Sequence, residues 1–169
     1  RETGLWIQAM VEEISDADIQ YKGTNDLVSY VDQQAENRLK TGLSQVFPAA
    51  GFIAEESASG QEDIGDGYYW VIDPLDGTTN FLHGLPIYAV SVGLIHNKQP
   101  ILGMIYEPNQ DEMFYASKGN GAFLNDKSIQ VSTAETLATS LLATGFPYYD
   151  FSYQDRYLDL LKELMQKSH

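Results

Sequence analysis

"YYWVIDPLDGTTNF", residues 68 to 81, decides how this chain is read. The aromatic and β-branched run 68–73 has the composition of a strand, and it ends in Asp73. Pro74 fixes φ and removes a backbone donor, which makes the following turn stiff. Asp76 comes two residues later, and Gly77 permits close approach or a positive φ. Thr78, Thr79 and Asn80 are residue types that begin helices. A short helix through "TNFLHG" aims its N–H groups back toward the two acids. Carboxylate oxygens suit Mg²⁺, and a helix N-terminus suits a phosphate. Together they describe a site for a metal-bridged phosphate ester. Taken alone, Asp-x-x-Asp-Gly reads first as a capped turn. An EF-hand loop fits poorly, because Pro74 intrudes and the later ligands are missing.

Upstream, "GFIA" (51–54) reads as a short apolar strand that also ends in acids, Glu55 and Glu56. If this strand neighbours 69–73, the two acidic ends meet. Converging carboxylates repel one another, and a divalent cation removes that conflict. Asp32 is a third acid, placed to cap a helix over roughly 33–46 with Ala35, Leu39, Leu43 and Val46 inward. Before it, "LVSYV" (27–31) looks extended, and residues 2–18 have helical spacing, with Trp6, Met10 and Ile14 four apart. Segments 87–95, 101–108, 112–117 and 121–125 read as strands joined by short turns, with a tight turn at Asn125-Asp126. Segment 140–145 is a further candidate strand, and 153–167 returns to helix. Two helices, a run of strands and a helix make an α+β fold. It is a largely antiparallel sheet with a covering helix pair.

The composition agrees. There are 24 acidic residues against 10 Lys and Arg, a net charge of −14. That balance argues against nucleic acid and against an anionic membrane surface, and it suits equally a chain that holds cations and one whose acidity only keeps it in solution. No run approaches a membrane-spanning helix. The absence of cysteine leaves no disulfide and no thiolate metal site and is compatible with a cytoplasmic location. Both termini read as cut within longer patterns. The histidines His83, His96 and His169 lack metal-ligand spacing, and Trp6 and Trp70 read as packing.

"DPLDGTTNF" (73–81), "AEES" (54–57) and "NDLVSYVD" (25–32) together resemble the inositol monophosphatase family of lithium-sensitive, Mg²⁺-dependent phosphatases. "LPIYAVSVGL" and "KGNGAFLN" resemble it at the same relative positions. The resemblance implies that Glu55 binds a metal and helps hold the attacking water, that Asp73 bridges metals, and that Asp76 and the Leu75 carbonyl are further ligands. It implies that Thr78, bonded to Asp32, orients or deprotonates the water. It also implies that the Gly77 and Thr78 amides receive the phosphate. Glu56 has no assigned role, and Lys22 sits one residue short of the family's spacing to Asp32. The implied cofactor is Mg²⁺, roughly two or three ions per site. The implied partners are a small phosphate monoester and a second copy of the chain in a homodimer.

The family's later Trp-Asp motif and its C-terminal α/β segment are missing from these 169 residues. The expectation is therefore a single domain over 1–169, the N-terminal part of an αβαβα sandwich. The expected activity is hydrolysis of an inositol monophosphate or similar polyol or sugar phosphate by metal-activated water. Histidinol-phosphate, fructose-1,6-bisphosphate and 3′-phosphonucleotide phosphatases remain open, as does a non-catalytic metal- or phosphate-binding piece.

Overall fold

The computed structural model describes residues 1–11, 19–21, 27–54, 65–147 and 150–168, with only the backbone for 19–21 and 27–29. The chain divides into two compact units, one running up to Ile129 and one from Gln130 onward.

In the first unit, helix α1 (Glu2–Met10) is followed by strands β1 (Ile19–Tyr21) and β2 (Leu27–Ser29), an antiparallel pair. Helix α2 covers Tyr30–Val46. Strands β3 (Gly51–Ala54) and β4 (Tyr68–Asp76) come next, then the short helix α3 (Thr78–Leu82). Strands β5 (Ala89–His96), β6 (Gln99–Glu107), β7 (Glu112–Ser117), β8 (Gly121–Leu124) and β9 (Lys127–Ile129) complete it. Strands β3 to β9 lie in chain order in one seven-stranded sheet. Every neighbouring pair is antiparallel except β3 and β4, which are parallel. The fold is therefore α+β with a mixed sheet.

Alternation explains how the sheet holds its helices. Trp70 and Ile72 of β4 and Val90, Val92 and Leu94 of β5 are buried, in register as Trp70↔Leu94 and Ile72↔Val92. They share one face, because side chains alternate along a strand. Ile7 of α1 and Val31 and Ala35 of α2 join the same core. Residues of the other parity, Val71 and Ile105, remain exposed on the opposite face. The β5–β6 and β8–β9 hairpins turn through Asn97-Lys98 and Asn125-Asp126, all four at positive φ. That is the two-residue turn whose twist matches the strands.

Several expectations need correction. The extended segment 27–31 stops at Ser29, and helix begins at Tyr30. Asp32 is accordingly inside the first turn of α2 instead of capping it, and it is only 2% exposed. Val46 is exposed at the helix end, outside the expected inner face; the buried row is set by Val31, Ala35 and Glu36. Helix α1 ends at Met10 with Val11 as its C-cap, and residues 12–18 of the expected 2–18 helix lie outside the described residues.

The second unit holds a 3₁₀ turn (Leu137–Thr139) and helix α4 (Gln154–Lys167). The expected strand 140–145 is irregular. Apolar residues alone do not make a strand without a partner backbone to satisfy its N–H and C=O groups. Along α4, Tyr157, Leu161 and Leu164 form a half-buried row, and the Tyr157 hydroxyl donates to the Gly145 carbonyl at 2.9 Å.

Candidate active site

The quoted stretch forms the end of β4 and the turn into α3. Asp73 pairs with Ser91 and Asp76 with Ala89, so three steps on β4 oppose two on β5. One extra residue is therefore accommodated, a β-bulge, which bends the strand and re-aims its side chains. Pro74 is the local cause, since it has no N–H for the ladder. Pro74 and Leu75 are both fully buried, while Asp73 is half-buried and Asp76 exposed. The Leu75 N–H donates to Asp73 Oδ1 at 3.2 Å, which braces the turn.

Gly77 then adopts φ +95° and caps α3. A Cβ there would lie 2.9 Å from the Ile87 carbonyl oxygen and 3.2 Å from the Tyr88 Cα. Glycine is therefore required twice, by backbone angle and by space. Thr78 follows at the first position of α3. Its hydroxyl lies 3.0 Å from Asp32 Oδ2 and 2.9 Å from the Leu75 carbonyl oxygen. A hydroxyl has one proton and can accept through its lone pairs. Thr78 thus sits between a buried carboxylate and a carbonyl, with acceptor capacity to spare. This contact spans 46 residues of sequence and joins α2 to the β4 turn.

The structure thus brings together Asp32, Thr78, Leu75, Asp73, Asp76 and Gly77 around one turn. Glu55, Glu56 and Lys22 lie outside the described residues. The parallel pairing does place Ala54 beside Ile72 at the last described rung, one residue before Asp73. Among the described residues, no three His, Asp or Glu side chains converge closely enough to hold a metal ion. His96 stacks on Tyr68 with ring centroids 4.0 Å apart, and Trp6 packs under the Arg38 guanidinium at 4.3 Å. Trp6 thus packs, as its type suggested.

Sequence reasoning missed two residues near the site. Glu36, one turn after Asp32 on α2, is buried; its Oε1 meets Lys40 Nζ at 2.7 Å. The four-residue spacing from Asp32 was the available signal. Asn80 looked like a helix starter, yet its side-chain amide donates to the Ile87 carbonyl at 2.8 Å.

Comparison with known proteins places this geometry. The model of the inositol monophosphatase family matches residues 2–159. The putative Nus factor SuhB of Neisseria meningitidis serogroup B is 43% identical over 147 residues, covering 87% of this chain and 56% of that protein. Inositol monophosphatase 2 of Solanum lycopersicum is 47% identical over 129 residues, covering 75% and 49%. The crystal structure of the extragenic suppressor protein suhB from Bartonella henselae superposes with a TM-score of 0.88 at 36% identity. That match covers 99% of this chain and 64% of the other. The chain spans about half the length of the curated relatives it matches. With the bulged DPLDG turn, the capped α3 and the Thr78–Asp32 contact in place, the chain belongs to the inositol monophosphatase family.

Proposed function

We propose that the whole protein is a Mg²⁺-dependent phosphomonoesterase acting on an inositol monophosphate or similar polyol or sugar phosphate. The observation that carries this reading is the Thr78 hydroxyl held at 3.0 Å from a carboxylate that is 2% exposed. A buried acid in contact with a hydroxyl at a turn is an arrangement for orienting a water and taking its proton. Asp32 is the proton's destination, and Thr78 Oγ1 accepts the hydrogen bond that aligns the water. The Gly77 and Thr78 amides, at the start of α3, receive the phosphate oxygens.

The donor set fits Mg²⁺ by its chemistry. Asp73, Asp76 and the Leu75 carbonyl offer hard oxygens, and soft donors are absent from the turn. Glu55, directly after Ala54 in sequence, is proposed as the further ligand. When bound, the metal ions polarise the phosphoryl group and lower the pKa of a bound water. Both compact units are read as parts of one N-terminal phosphatase domain, and the protein as a lithium-sensitive, cytoplasmic homodimer. Among the described residues, no helix is long and apolar enough to cross a membrane. Relatives are named both as inositol monophosphatases and as a putative Nus factor; the hydrolase reading is favoured here because the acids and Thr78 surround one turn.

The test is phosphate release from inositol 1-phosphate by the full-length protein with Mg²⁺, with and without Li⁺, beside Asp76→Asn. Asp76 is exposed, so the variant should melt like wild type while turnover falls by about 100-fold or more. Equal turnover would remove Asp76 from the metal site. No release from any polyol or sugar phosphate would leave a binding protein.

A further inference from the structure

Helix α3 has only five residues, too few to hold its own conformation. Its orientation must come from tertiary contacts, and besides Asp32 and β2 several of these come from the segment just after it. Asn80 grips that segment twice: its main-chain carbonyl accepts the Leu85 N–H at 2.8 Å, and its side-chain amide donates to the Ile87 carbonyl at 2.8 Å. Gly77 lies flush against Ile87 and Tyr88, with room for no Cβ. Phe81, 1% exposed, meets the Tyr88 ring edge-on at 5.2 Å. Tyr88 is anchored in turn, because its hydroxyl donates to Asn109 Oδ1 at 3.2 Å and Asn109 Nδ2 donates to Glu107 Oε1 at 2.7 Å. The turn carrying Thr78 therefore has Asp32 on one side and a braced Ile87–Tyr88 wall on the other.

We propose that Asn80 is a positioning residue of the reaction: through the Ile87 carbonyl it sets the angle at which α3 presents the Gly77–Thr78 turn to the phosphate and the water. The inference rests on the phosphatase reading above. The Asn80–Ile87 bond is solvent-accessible, and an exposed hydrogen bond adds little to stability because water replaces it. Position is different, since a displacement of a fraction of an ångström in a reacting group costs rate steeply. Asn80 should thus matter to turnover more than to folding.

The experiment uses the full-length protein with Mg²⁺. It compares Asn80→Ala and the near-isosteric Asn80→Asp, whose carboxylate cannot donate to a carbonyl. Thermal melting measures the fold, and inhibition by inorganic phosphate measures the receiving turn independently of how much enzyme is folded. Both variants should melt close to wild type, lose about tenfold in kcat, and be inhibited about tenfold more weakly by phosphate. A kcat within about twofold of wild type in either folded variant would overturn the proposal alone. A wild type without turnover would overturn the phosphatase reading, and this inference with it. If Asn80→Ala fails to fold, Asn80→Asp decides.

Discussion

Gly77 shows how much one residue can fix. Its φ of +95° is a conformation that side chains avoid, and a Cβ would be pushed to 2.9 Å from the Ile87 carbonyl oxygen. Gly77→Ala therefore has to distort either the turn or the β5 entry. The expected loss is about 2 kcal/mol of stability, read by urea denaturation, with a larger relative loss of turnover because Thr78 moves too. A variant as stable as wild type would mean that the wall at Ile87–Tyr88 yields easily. The Thr78–Asp32 contact illustrates the opposite dependence. Neither residue reveals it locally, because 46 residues separate them.

At the scale of the element, α2 carries its chemistry in a row. Asp32, Glu36 and Lys40 are spaced four apart, and the first two are buried. Glu36 Oε1 is paired with Lys40 at 2.7 Å, while Oε2 is buried without a hydrogen-bond partner among the described residues. Removing the cation leaves a buried carboxylate uncompensated, which is costly, whereas replacing both partners by apolar groups is not. Lys40→Met should lose roughly 3 kcal/mol in urea denaturation, and adding Glu36→Leu should recover most of it. A single variant at wild-type stability would show that Glu36 finds its charge balance elsewhere. The β4 bulge belongs to this scale as well: Pro74 withholds one ladder bond, and the register shifts by one residue between Asp73 and Asp76.

Over the whole molecule, alkaline pH reports how tightly the first unit is closed. Burial raises the Tyr88 and Tyr106 phenols above their ordinary value of 10.0; for Tyr106 the hydrogen bond to Asp111 adds to the effect. Tyr106 is covered by α1, whose Gly4 sits so close that a Cβ would fall 2.5 Å from the ring. The folded state holds these protons more tightly than the unfolded state. Their contribution is therefore complete below pH 10.0 and is lost as pH rises through the raised folded values. The melting temperature should fall as pH rises above 10.0, and it should fall less in Tyr106→Phe. Identical slopes would mean that the α1 packing opens before the phenol titrates.

The sequence alone determined the features that reside in single residues and their neighbours. Pro74 and Gly77 set the turn, the Asn125-Asp126 pair set a hairpin, and alternation in 68–73 set a strand, because backbone freedom and hydrogen-bonding capacity belong to each residue type. The order of acids and hydroxyls around residues 73–78 was legible for the same reason. Tertiary structure decided the rest. It made β3 and β4 parallel neighbours, placed Asp32 inside α2 instead of at its cap, buried Glu36, left 140–145 without a strand partner, and turned Asn80 toward Ile87. Each of these depends on which distant surface covers a residue. Burial and pairing are properties of the assembled core, and no local pattern carries them.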